Sequence, residues 1–83
     1  MTEESWSFRL DVARAEGALE RVLGVVRRRG LGIERLSVDP AADGTWSVAI
    51  EAAAVQAEAG LALRQLTALV DVRSARLDGP MAG

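Results

Sequence analysis

The side chains that most often carry enzyme chemistry are missing from this sequence. It has no histidine, cysteine, lysine or tyrosine, so the commonest general bases, thiol nucleophiles and Schiff-base amines are absent. Five serines remain, but no histidine or lysine is present to activate a serine hydroxyl. The carboxylates fall mostly on faces predicted to be exposed, where a solvated charge is a simpler interpretation than an acid/base pair. We therefore expect no catalytic residue and no metal site in this chain.

Anion binding is the chemistry that the sequence can support, at the turn before the first predicted helix. Residues 13–17 lead from a predicted central strand into that helix, whose first backbone N–H groups lack partners within the helix. Such groups, at the positive end of the helix dipole, can receive an amino-acid carboxylate. Any strand-to-helix turn offers these donors, however, and Gly17 can also serve only to permit the bend. Both interpretations stay open on these residues.

The densest charge cluster is Arg27-Arg28-Arg29, at the end of the same predicted helix. One interpretation is structural, because cations stabilise the negative carboxyl-terminal end of a helix. The other is a docking patch for an acidic surface of a partner protein. Nucleic acid is disfavoured as the partner because the chain has a net charge of −2 and no aromatic side chains interleave with the arginines.

Apolar periodicity predicts the elements that position these residues. A reversal is predicted at residues 40–44, where proline and an Asp-Gly pair occur. The apolar phase shifts between Ile33 and Leu36, which predicts a bulge, and Gly60 weakens the second predicted helix. The predicted strands are residues 6–12, 31–39, 45–51 and 70–77, and the predicted helices are residues 17–29 and 55–69.

This β-α-β-β-α-β order predicts an α+β fold of the ferredoxin-like type. Right-handed crossovers would place the first and third strands at the centre of a four-stranded antiparallel sheet, with both helices on one face. Trp6 and Trp46 fall on inward-facing positions, so core packing is predicted for them over ligand stacking. The other sheet face is predicted to be uncovered and carries Ser7, Arg9, Ser47 and Glu51.

Size and composition favour one small domain that associates with another chain. A chain of 83 residues, 49% of them apolar, buries only about 60 to 65% of its unfolded surface. Packing against a second copy is a common way for such a domain to gain stability. The acidic amino end, the absence of cysteine and the lack of an apolar run near the roughly 20 residues of a membrane span predict a cytoplasmic location.

Three sequence blocks carry a family resemblance. GALERVLGVV at residues 17–26 and RGLGIERLSV at residues 29–38 resemble the ACT domain of acetolactate (acetohydroxyacid) synthase small regulatory subunits. QLTALVDV at residues 65–72 is similar to the end of the same domain. The resemblance implies an ACT domain over residues 6–77, in the short single-domain form of the subunit. Residues 1–5 would then be an N-terminal extension and residues 78–83 a flexible tail.

The resemblance implies a non-catalytic subunit that binds the synthase catalytic subunit and raises its activity. Such subunits often pass on inhibition by valine or another branched-chain amino acid. Thiamine diphosphate, magnesium and FAD are expected on the catalytic partner, and no cofactor is expected in this chain. A homodimer is also expected. The alternative is a free-standing ACT-domain sensor that binds an amino acid and controls another protein.

Two groups of site residues follow from this resemblance. The residues expected to dock the partner are Arg21, Arg27 and Arg28. Arg14 and Gly32 stand where valine-responsive members usually have asparagine, and arginine supplies donors only, whereas asparagine supplies both a donor and an acceptor. We therefore expect a weak or absent valine response. The expected effector-binding residues are Arg14, Ala15, Glu16, Gly17, Ala18, Leu19, Gly32 and Ile33.

Overall fold

A computed structural model describes residues 2–80, and within them the elements follow the predicted order. The strands are β1 (Glu4–Ala13), β2 (Gly32–Ala41), β3 (Thr45–Ala54) and β4 (Val72–Asp78), and the helices are α1 (Ala18–Arg28) and α2 (Gln56–Ala68). A short 3-10 turn at Ala42–Gly44 joins β2 to β3. Each helix and strand lies within three residues of its predicted bounds.

The four strands form one antiparallel sheet in the order β2-β3-β1-β4. β1 and β3 lie at the centre, and the helices cover one face, so the predicted ferredoxin-like sandwich is confirmed. The central pairing runs from Glu4 opposite Ala54 to Ala13 opposite Thr45. We name the two ends of the sheet by these pairs, and the turn from β1 into α1 lies at the Ala13 end.

The core lies between the sheet and the helices and is built from the inward-facing positions of the central strands. Phe8 and Ile50 are completely buried, and Leu66 of α2 is buried above them. Trp6 is also in the core, where its Nε1 donates a 2.9 Å hydrogen bond to the carbonyl of Ala54. This bond satisfies the one polar atom of the indole, which makes its burial favourable. The core prediction for Trp6 is therefore confirmed.

Two predicted boundaries inside the chain are wrong. Pro40 was expected in the reversal but continues β2 opposite Trp46. An edge strand tolerates proline because one side of its backbone needs no ladder partner. Val70 and Asp71 were expected in the last strand but lie in the turn before β4, and Val70 is 91% exposed. Apolar side chains alone therefore did not fix the start of this strand.

The ends of the sheet also extend beyond the predicted strands. β1 begins at Glu4, inside the segment expected as an N-terminal extension, because Glu4 and Ser5 pair with the end of β3. β4 includes Asp78, the first residue of the expected tail, which pairs with Ser7. Gly79 lies beyond the strand without regular structure. The expected tail residues 81–83 and Met1 lie outside the described residues.

β2 is an exposed edge of the sheet. Its register against β3 shifts between Ile33 and Arg35, which confirms the predicted bulge. Although Ile33, Leu36 and Val38 face the helix side, they are 40%, 43% and 37% exposed because the helices pack mainly over the other strands. The opposite face of the sheet has no helix over it, as predicted, although Ser7 on that face is buried.

Candidate functional site

The turn between β1 and α1 presents free backbone donors. Gly17 takes a left-handed conformation with φ of 77°, and its carbonyl accepts the N–H of Arg21 at 3.0 Å. Ala18 N–H bonds to the carbonyl of Ala15, while no side chain caps the helix. In the first turn of α1, the backbone N–H groups of Leu19 and Glu20 have no backbone acceptor in the described chain. This arrangement can receive an anionic group at the positive end of the α1 dipole.

The Arg14 guanidinium links this turn to the β2–β3 connection through hydrogen bonds. Its Nε donates to the carbonyl of Thr45 at 3.0 Å, and its Nη2 donates to the carbonyl of Ala41 at 3.1 Å. The backbone N–H of Arg14 bonds to the carbonyl of Gly44 at 3.1 Å. Two of its three guanidinium nitrogens therefore bond to backbone carbonyls. Arg14 lies at the expected effector turn, but its observed contacts are structural.

The Arg21 guanidinium makes a second connection, to the turn before β4. Its Nε donates to Asp71 Oδ2 at 2.8 Å, its Nη2 contacts the same carboxylate oxygen, and Nη2 also donates to the carbonyl of Glu16 at 3.2 Å. The carbonyl of Asp71 accepts the N–H of Ala13 at 2.8 Å. Arg21 was expected to dock a partner, and the structure places it in this internal network. Asp71 was missed because it was read as part of a strand.

The expected effector residues form two groups that lie far apart in one chain. Arg14 to Leu19 lie at the Ala13 end of the sheet. Gly32 pairs with Ala53 and Ile33 pairs with Ala52, at the opposite end of the sheet. Ser5, which lies opposite Ala53, and Ala13 are eight positions apart along β1, which corresponds to about 26 Å at the usual strand rise. A single chain therefore does not bring the two groups together.

The other arginines expected to dock a partner make no ion pair with the described part of the chain. Arg27 and Arg28 are exposed in the last turn of α1, where they complement the helix dipole. Within residues 2–80, no carboxylate oxygen lies within 4 Å of either guanidinium. Both interpretations of the cluster are compatible with this position.

The sequence reading missed an apolar surface beside β2. Leu36 and Val38 line a small cavity of about 50 Å³ together with Leu19 and Leu23 of α1, and Ile33 is exposed farther along the same face of β2. We call these five residues the β2 surface. The signal was present, because β2 was predicted at the sheet edge and yet carries three large apolar residues facing the helix layer. An exposed apolar surface of this kind is a candidate for contact with another protein.

Residues 2–80 contain no cluster of side chains suited to a metal ion and no membrane-spanning helix. No group of three or more histidine, cysteine, aspartate or glutamate side chains in that range could hold a metal ion. Neither helix in the described part of the chain has the length and apolar character to cross a membrane.

The four-stranded antiparallel sheet and its two helices define the chain as a small ferredoxin-like domain. The sequence then gives the family. The profile of the ACT domain family matches residues 14–75, so the chain belongs to this family. No curated protein matches the sequence.

Solved structures share this fold over most of the chain. The ACT domain of a GTP pyrophosphokinase from Chlorobium tepidum is 14% identical, with a TM-score of 0.81 over 93% of this chain and 100% of that one. An uncharacterized protein from Thermotoga maritima is 14% identical, with a TM-score of 0.77 over 95% and 98%. The ligand-free regulatory subunit of aspartate kinase from Thermus thermophilus is 15% identical, with a TM-score of 0.69 over 94% and 52%. At these identities the likeness establishes the fold.

Proposed function

We propose that this chain is the non-catalytic regulatory subunit of an acetohydroxyacid synthase, which binds the catalytic subunit and raises its activity. The observation that carries the proposal is the run of residues 17–38, which resembles those subunits and which covers Gly17 at the end of the turn before α1, α1 itself and most of β2. Thiamine diphosphate, magnesium and FAD would belong to the catalytic partner. This chain would contribute a surface and an effector site.

The exposed edge of β2 supports a homodimer as the working form. If two copies pair their β2 strands antiparallel, unpaired backbone groups on both edges find partners. The β2 surfaces would then meet, and each large side chain removed from water would contribute about 1 kcal/mol. Leu36 lies in the middle of this strand, so it would lie close to the two-fold axis.

The same pairing would complete the effector site. In an antiparallel β2 pair, the Gly32 end of one copy lies beside the Ala41 end of the other. Ala41 is the residue whose carbonyl holds Arg14, so the effector turn of one copy would face the Gly32 end of the second. The two groups of expected effector residues, separated in one chain, would meet across the dimer. Backbone N–H groups of Leu19 and Glu20 would receive the carboxylate of the effector.

Reconstitution with the synthase catalytic subunit of the same organism tests the proposal. We expect the two chains to copurify and the synthase rate to rise several-fold when this chain is added at saturation. Leu36→Glu is the test variant for the dimer and should lose both the dimer and the rise in rate while leaving the monomer fold in place, and Leu61→Glu is its matched control. A synthase rate that is unchanged by the wild-type chain would overturn the proposal.

A free-standing amino-acid sensor is the second candidate, favoured by the free donors at the start of α1. A thermal-shift screen of the amino acids separates the two, because a ligand that binds only the native state raises the apparent melting temperature. A shift combined with no affinity for the synthase would favour the sensor.

A further inference from the structure

A shallow groove that is open to solvent runs along α1 and shares Gly17 and Arg21 with the contacts described above. It has a volume of about 420 Å³ and is lined by Gly17, Glu20, Arg21, Gly24, Arg28 and Leu69. A second hollow of about 340 Å³ is lined by Gly24, Arg27 and Arg28 and continues it along the helix. We call the two together the α1 groove. Gly24 lies where they join.

Nothing inside the described chain requires glycine at position 24. Gly24 has no positive φ, so its backbone suits any residue. A Cβ added there would have only Arg28 Nη1 as a neighbour, at an ordinary contact distance of 3.5 Å. Glycine is nevertheless the least favourable residue in a helix interior apart from proline. The missing side chain therefore leaves space on the outside of the helix rather than serving packing within it.

The charges around the groove favour an acidic occupant. Arg27 and Arg28 have no carboxylate within 4 Å in the described chain, whereas the guanidinium of Arg21 is already paired with Asp71. Glu20 is the acidic residue that lines the groove. The helix dipole explains why cations occur in the last turn of α1. It does not explain the gap at Gly24 beside them.

We infer that the α1 groove seats an acidic segment of the catalytic subunit. An apolar side chain of that segment lies over Gly24 against Leu69, and its carboxylates pair with Arg27 and Arg28, which suit bidentate contacts. The inference rests on the proposed function and names the surface through which the partner would bind. The α1 groove contains no residue of β2, so the β2 edge remains available for pairing with a second copy of the chain.

The test fills the groove without disturbing the helix. Gly24→Gln adds a helix-favouring side chain over the gap, and Gly60→Gln does the same in α2, where an added Cβ would meet nothing within 4 Å. Both variants should melt roughly 2 to 5 °C higher than the wild type. Calorimetric titration with the synthase catalytic subunit should show at least tenfold weaker binding for Gly24→Gln and unchanged binding for Gly60→Gln.

A charge variant checks the acidic character of the occupant. Arg28→Gln should weaken binding several-fold and reduce its dependence on salt, because one screened ion pair is lost. Arg64→Gln, an exposed arginine of α2, is the matched control and should change neither property.

Each outcome decides between the two claims. If the wild type binds and Gly24→Gln binds equally well, the groove is not the docking surface and the proposed function stands. If Gly24→Gln melts lower while Gly60→Gln melts higher, glycine serves the fold and the inference is wrong. If the wild-type chain does not bind the synthase, the proposed function fails and the inference fails with it.

Discussion

Arg21 of α1 and Asp71 of the turn before β4 form an ion pair across 50 positions of the sequence. Asp71 has a side chain only 13% exposed, whereas that of Arg21 is 47% exposed. The same guanidinium donates to the carbonyl of Glu16, so one side chain ties the turn before α1 to the turn between α2 and β4. This network and the Arg14 contacts join three connections at one end of the sheet.

Loss of the Arg21 network should lower stability modestly. Exposed ion pairs contribute about 0.2 to 1 kcal/mol to stability. Because Arg21 also donates to a carbonyl, we expect Arg21→Met to lower the free energy of unfolding by about 1 kcal/mol. Urea unfolding would measure the change, with Arg28→Met as the control from the same helix. A double-mutant cycle with Asp71→Ala should show coupling between the two side chains. Equal effects of Arg21→Met and Arg28→Met would contradict the network.

Gly17→Ala should destabilise the domain for two separable reasons. The left-handed backbone costs an alanine about 1 kcal/mol, and its Cβ would lie 2.9 Å from Arg21 Nη1. Gly30 has a similar φ of 74° with no atom within 4 Å of an added Cβ, so Gly30→Ala reports the backbone cost alone. We expect Gly17→Ala to be about 1 kcal/mol worse than Gly30→Ala in thermal unfolding. The excess should vanish in an Arg21→Met background; if it persists there, the clash is not its cause.

Arg14→Met should loosen the connection between β2 and β3. Removal of the guanidinium leaves the carbonyls of Ala41 and Thr45 without these donors, which corresponds to about 1 to 2 kcal/mol. Hydrogen exchange should rise in the Ala42–Gly44 turn, and chemical denaturation would give the stability change. The control is Arg9→Met, since Arg9 makes no side-chain hydrogen bond within residues 2–80. Unchanged exchange in the turn would show that Arg14 does not hold it.

Leu36→Glu should convert a dimer into a monomer. The carboxylate introduced at position 36 would be buried in the contact between the two β2 surfaces without a charge partner, which is unfavourable. Leu61→Glu is the matched control, because Leu61 of α2 is 38% exposed and lies outside the β2 surface. Sedimentation equilibrium would give the mass of each variant. A monomeric wild type, or a dimer that survives Leu36→Glu, would exclude this interface.

Valine should bind weakly or not at all. The side chain of Arg14 is engaged with two carbonyls, and Gly32 provides no side chain, so neither position supplies an amide to the zwitterion. Calorimetry at low micromolar valine should therefore give no binding heat. Tight valine binding in that range would overturn the expectation and would favour backbone donors as sufficient for recognition.

The sequence alone was sufficient for the element order and the position of β1 and β3. Periodicity identified these elements because a half-buried strand and an amphipathic helix bury apolar residues at different spacings. The bulge in β2 was also predictable from the shift in apolar phase. The start of β4 was not, because Val70 is apolar and yet 91% exposed in a turn.

The roles of the arginines needed the tertiary structure. Arg14 and Arg21 are charged residues near an expected binding site. The sequence does not show whether such a guanidinium binds a ligand or bonds to other parts of the same chain. That distinction depends on carbonyls and a carboxylate contributed by distant segments, at Ala41, Thr45 and Asp71. Local spacing carries no information about which distant acceptors reach these side chains.

The sequence by itself therefore determined the fold class and the position of the turn before α1, since both arise from local spacing and backbone geometry. Only the tertiary structure decided that the residues expected to bind an effector lie at two ends of the sheet, that β2 leaves an apolar edge uncovered and that a groove lies beside Gly24. These features depend on which surfaces the packed helices leave free. Packing is a property of the whole chain, and periodicity within one segment does not specify it.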